Sequence, residues 1–147
     1  MITTEITELQ EQLVANGLNI IPKEGFEAIR IINCRPKWPD DGTDKTMIHE
    51  LGINEECCAF DKGCYVGQEI INRIDVKGLI NKKLHRLSIN GPAKIGDTLT
   101  MDEKEVGKIT SLTQLGDNQV ALSVIKKRAW GKGQSLNISS GGTASVM

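Results

Sequence analysis

Apolar positions recur at Ile6, Leu9 and Leu13, the spacing of one helical face. The pattern predicts an amphipathic helix over residues 4–16. Thr4 is its expected N-cap, and Glu5 and Glu8 suit the positive end of its dipole. Asn16-Gly17 supplies the stop. Leu18 to Ile21 reads as a short extended piece ending at Pro22. Phe26 to Asn33 predicts a second helix whose apolar face is Phe26, Ile29 and Ile32. Arg35-Pro36, Trp38-Pro39 and Asp40-Asp41-Gly42 are turn signals, so residues 34–45 read as a loop. Residues 46–60 read as irregular, with a short turn of helix. A glycine-punctuated loop, Asp61 to Gly67, leads into a helix from Gln68 to about Arg73, with Ile70, Ile71 and Ile74 apolar. From Gly78 the pattern changes to short strands at 84–89, 98–101, 105–112, 119–125 and 136–138, with Gly107 interrupting the third. Val120, Leu122 and Val124 share one face of the fourth. Strands of this length and spacing predict a small antiparallel barrel. Ser139-Ser140-Gly141-Gly142 opens what reads as a flexible tail, residues 139–147.

Composition narrows the class. A chain of 147 residues, 39% hydrophobic and 25% charged, can bury one sizeable core or two small ones. No apolar run approaches the roughly 18 residues of a membrane span. The polar, acidic N-terminus does not resemble a secretory signal, so no membrane association is expected and the cytoplasm is the expected compartment. Four cysteines, Cys34, Cys57, Cys58 and Cys64, then read as free thiols or metal chemistry rather than disulfides. Aromatic content of 3% is low for a surface that stacks single-stranded bases. The net charge of −1 hides a split: residues 1–76 sum to −7 and residues 77–147 to +6. Either the two halves attract each other, or the basic half meets an anionic ligand or nucleic acid. Lys82, Lys83, Arg86, Lys126, Lys127 and Arg128 could touch RNA phosphates or a polyglutamate tail, or form a solvated face.

The densest chemistry lies in Lys62-Gly63-Cys64-Tyr65-Val66-Gly67-Gln68-Glu69. Gly63 and Gly67 let the backbone turn or approach a ligand closely. A thiol reacts as the thiolate, which a nearby cation or a helix N-terminus favours. Lys62 and the helix starting at Gln68 could supply both. The plain alternative is a small cysteine in a glycine turn. Cys57 and Cys58 with Cys64 also suggest a metal site, but adjacent cysteines suit one tetrahedral metal poorly and the usual two-residue spacing is absent. No metal ligand set is therefore assigned. His49 and His85 lack the neighbours of a catalytic dyad.

That octet is similar to the signature K-G-C-Y-x-G-Q-E of the YgfZ-like proteins, a branch of the folate-binding aminomethyltransferase and glycine cleavage T-protein superfamily. All seven specified positions match. Arg73 resembles the arginine that follows at fixed spacing, and Gly78 and Asn81-Lys82-Lys83-Leu84 resemble the next stretch. Gly25 to Pro36 resembles an upstream segment through Ala28-Ile29-Arg30-Ile31 and Pro36. Val106 to Ser111 and Ala121 to Arg128 resemble strands of the C-terminal barrel. The likeness covers roughly residues 5–138. Cys34 stands where the pattern has glycine, and Pro39-Asp40-Asp41 replaces a G-x-E. Roughly the first half of the family's three-part ring has no counterpart in these residues.

The resemblance implies an α+β chain. Residues 1–80 would be part of an aminomethyltransferase-like folate-binding region carrying the Cys64 loop, and residues 81–138 the C-terminal barrel. It implies an accessory role in iron–sulfur cluster assembly or repair, with folate-dependent effects on tRNA modification, rather than a classical enzyme. Cys64 would be the functional thiolate, ligating a transient iron–sulfur cluster or sulfur or serving as a redox-sensitive group. Lys62, Gly63, Tyr65, Gly67, Gln68, Glu69 and Arg73 would surround tetrahydrofolate or the partner, with Glu69 and Arg73 pairing one turn apart. Implied partners are iron–sulfur client or assembly proteins and folate, without DNA. Two alternatives stand beside this reading: a T-protein-type aminomethyltransferase, and a protein- or RNA-binding module in which Cys64 is structural.

Overall fold

The computed structural model describes residues 2–78 and 80–147. Among these, five helices precede six strands: α1 (Ile2–Ala15), α2 (Lys23–Ile32), α3 (Ile48–Leu51), α4 (Asn54–Cys57) and α5 (Gln68–Lys77), then β1 (Lys82–Asn90), β2 (Thr98–Met101), β3 (Lys104–Leu115), β4 (Asn118–Lys126), β5 (Ser135–Ile138) and β6 (Thr143–Val146). The chain is α+β. Its strands close an antiparallel barrel in the order β1-β4-β3-β2-β5-β6.

Alternation along the strands builds the barrel interior. Leu87, Ile89, Leu99, Val106, Ile109, Ala121, Ile125 and Leu136 point inward and are buried. Strand β4 is buried on both faces. Its outward residues Val120 and Leu122 join Leu84 of β1 beneath Ile31 of α2. The face expected from Val120, Leu122 and Val124 is thus the one that α2 covers. Gly107 lets β3 approach β4 closely: a Cβ there would lie 2.9 Å from both Ser123 Oγ and the Val124 carbonyl.

Three expectations are corrected. The apolar face of α2 is not Phe26, Ile29 and Ile32. Ala28, Arg30 and Ile31 are buried, while Phe26 and Ile29 are exposed. The helix turns this way because small Ala28 permits close approach to the barrel and Arg30 finds a full set of partners there. Helix α1 already runs from Ile2, so Thr4 stands within it rather than at its cap; the Thr4 side chain lies outside the described residues.

The third correction concerns residues 139–147, which are not a flexible tail. β6 pairs with both β1 and β5, and Ala144 and Val146 lie in the barrel core. Ser139 and Ser140 donate to Asp97 Oδ1 at 3.1 and 2.9 Å. Gly141 takes φ +95°, and a Cβ on Gly142 would fall 2.4 Å from the Pro92 carbonyl. The glycine pair is therefore a packed turn.

Candidate functional site

Helix α5 begins at Gln68, where the octet predicted a helix start, and extends to Lys77. Gly67 precedes it with φ +88°, the left-handed conformation that favours glycine, and Gly78 ends it with φ +59°. Gly63 takes no positive φ, and a Cβ there would meet nothing within 4 Å. Cys64 is exposed on the turn leading into α5. The octet thus offers its thiol to solvent.

The structure groups the remaining octet residues unevenly. Lys62 places Nζ 5.2 Å from the Tyr65 ring centroid, a cation–π contact. Its charge also favours the thiolate of Cys58, although burial, Cys57 and Asp75 together push that thiol upward. The Tyr65 phenol is likewise pushed up, by burial and then by Cys58. Cys58, Lys62 and Tyr65 therefore form one electrostatic cluster beside Cys64. Among the described residues no ion pair joins Glu69 to Arg73, the contact expected one turn apart. Helix α5 buries none of its residues.

Cofactor fit can be tested on this geometry. The octet lines none of the five main clefts among the described residues, so it does not by itself enclose a pterin. No group of three or more metal-ligating side chains converges among those residues. Next to α5 lies a cleft of about 330 Å³ lined by His49, Asn54, Glu55, Asp75 and Lys83. His49 is buried there, its Nε2 3.9 Å from Asp75 Oδ1.

Sequence reasoning missed the most tightly built cluster. Arg30 is buried and uses all five of its N–H donors. Nε and Nη2 donate to Glu27 Oε2 at 3.1 and 2.7 Å, and Nη1 donates to the Arg35 carbonyl at 2.8 Å and to Asp41 Oδ2 at 2.7 Å. Nη2 also donates to Ser111 Oγ at 2.8 Å. Asp41 is equally saturated: Lys37 N donates to Oδ2, and the hydroxyls of Thr110 and Ser111 donate to Oδ1. Arg30 and Ser111 lie in segments already singled out by resemblance, and Asp41 falls within one of the departures from it. The only available signal was that several unlinked segments each carried one polar residue. Together they pin the 34–45 loop to β3. Cys34, standing where the pattern has glycine, takes φ +52° within that loop, so the turn forms even without the glycine.

No family model matches the chain. Among the described residues no helix is long and apolar enough to cross a membrane. Over 128 residues, 86% of the chain, the sequence is 32% identical to a chloroplastic protein of Arabidopsis thaliana named "putative transferase". The matched stretch is 29% of that protein, so the chain spans less than a third of its relative's length.

Proposed function

We propose that this chain is a YgfZ-like accessory protein of iron–sulfur enzyme assembly or repair in which Cys64 is the working thiolate. The observation that carries the reading is the seven-position signature set on an exposed turn, with its cysteine open to an approaching partner. The step is ligand exchange. Cys64 gives its proton to water, and its thiolate displaces one donor thiolate from an iron of the incoming cluster, which is cargo. Thiolates of the client protein then displace it, and no electron changes hands. Lys62 and Tyr65 shape the rim of the loop, and Gly67 sets the angle at which α5 leaves it. Tetrahydrofolate belongs to the proposal only with surfaces beyond these residues, and no step passes through it. An effect on tRNA modification would follow indirectly, through the iron–sulfur enzymes served, and the proposed workplace is the cytoplasm.

The test is transfer of a [2Fe–2S] cluster to apo-ferredoxin, followed by visible circular dichroism. The wild-type chain is expected to accelerate transfer. Cys64→Ser should return the rate to the uncatalysed background, while Cys57→Ser should not. Equal rates for wild type and Cys64→Ser would sink the proposal. A second reading, an aminomethyltransferase, rests on the resemblance to the T-protein; the relative's name says transferase and no more. Formation of methylenetetrahydrofolate from an aminomethyl donor would support that reading instead.

A further inference from the structure

Away from the octet, the 37–46 loop and the outer wall of the barrel enclose a cleft of about 300 Å³. Four lysines from four separate segments surround it: Lys45 of the loop, Lys82 of β1, Lys108 of β3 and Lys126 of β4. Lys82 and Lys126 are direct cross-strand partners. Like charges placed opposite each other in a ladder destabilise it, so such a pair calls for a counter-charge. Among the described residues none of the four ammonium groups forms an ion pair. Lys126 donates only to the Glu105 carbonyl, at 3.1 Å.

Two of the four acids lining the same cleft, Asp40 and Asp41, are already ion-paired. Asp41 is saturated by its four donors, Asp40 pairs with Lys37 at 2.9 Å, and Glu50 accepts from Met47 N at 3.1 Å. Glu105 forms no ion pair among the described residues, and Glu50, whose partner is a neutral N–H, keeps its charge too. The Arg30–Asp41 network ties the loop to β3 and so sets the spacing of the cleft's walls, with the four lysines exposed around it.

We propose that this cleft binds the phosphate group of a small phosphorylated organic molecule. Four point charges without an arginine fork suit a tetrahedral phosphate better than a planar carboxylate. Its volume sits at the lower end of small-molecule sites, which run from about 300 to 1,000 Å³. A second cleft of about 620 Å³ shares Asp40, Lys108 and Thr110 with the first and adds the apolar side chains of Ile95 and Leu112. The organic part of the ligand lies there. No aromatic side chain lines either cleft, which disfavours stacked bases and hence single-stranded RNA. The site is independent of Cys64 and of the cluster-transfer reading.

Inorganic pyrophosphate is the probe, titrated into the intact chain by calorimetry and phosphorus NMR. Saturable binding is expected, weakening as salt rises. Lys82→Gln with Lys126→Gln should weaken it at least about tenfold, and Lys108→Gln alone by a smaller factor. Glu105→Gln should tighten it, and Cys64→Ser should leave it unchanged. The double variant relieves a like-charge pair, so its melting temperature should hold or rise. Any loss of binding then reports the site rather than the fold. No saturable binding at millimolar pyrophosphate would overturn the proposal. So would equal binding by the lysine variants, or capture of single-stranded RNA that pyrophosphate does not displace.

Discussion

At the scale of single residues, Arg30 and Asp41 show what burying charge demands. Each is tolerated because every donor or acceptor it presents is met. Asp41→Ala would leave the buried guanidinium with Glu27 as its one remaining ion pair and Nη1 short of an acceptor. Breaking one side of a buried pair costs about 3–5 kcal/mol, which urea denaturation of the variant should show. His85 carries a different electrostatic signature. Burial, and then the charge of Lys83, hold its imidazole below the ordinary value, and it lies tilted against Trp130. The folded chain therefore resists a proton that the unfolded chain accepts below about pH 6.5. Stability should be unaffected by this group above that pH, then fall as pH drops until the folded imidazole titrates. His85→Phe should flatten that part of the stability–pH curve, and an unchanged slope would assign it elsewhere.

At the scale of elements, the barrel strands were legible because an inward core imposes alternation. Leu87 and Ile89 of β1 and Leu99 of β2 sit inside, whereas the one face named from the pattern, Val120, Leu122 and Val124, lies outside the barrel beneath α2. Helix α2 was legible as a helix but not as to its face. Periodicity ranks Phe26 and Ile29 above Ala28 and Arg30, whereas the neighbouring β3 rewards a small side chain and a guanidinium with waiting acceptors. The two faces can be separated by mutation. Ile31→Ala should cost about 2–5 kcal/mol, the usual range for emptying a packed site. Phe26→Ser and Ile29→Ser should each change stability by no more than about 0.5 kcal/mol. Larger costs for Phe26→Ser and Ile29→Ser than for Ile31→Ala would mean that the expected face is the buried one. β6 escaped because Ser-Ser-Gly-Gly reads as a linker unless one knows that Asp97 accepts from both hydroxyls. The octet was legible as a motif, whereas the grouping of Cys58 with Lys62 and Tyr65 depends on how the loop folds back. The lysine cleft was invisible as a unit, since its members lie on four segments.

For the molecule as a whole, burial is concentrated in the barrel and the α2 layer. Every residue from Ile6 to Glu24 is exposed, including the apolar stripe of α1. That stripe obeys helical periodicity yet covers no core within the chain. Deleting residues 1–17 should therefore leave the barrel's denaturation midpoint and its m-value in urea nearly unchanged. A large drop in either would show that α1 packs against the barrel in solution. The charge split has a matching geography: the strands carry the basic half and the helical segments the acidic half.

The closure of the barrel by β6 bears on how the protein is made. β1 is flanked by β4 and β6, and β6 in turn completes the wall with β5. Until residues 143–146 have left the ribosome, β1 and β5 each present a bare edge, and such edges invite pairing with other chains. During translation the nascent barrel stays open for the time needed to synthesise about 60 residues after β1, a few seconds to roughly ten seconds at ordinary elongation rates. Through that interval the half-built sheet depends on chaperones, or on the speed of synthesis itself, to stay apart from its neighbours.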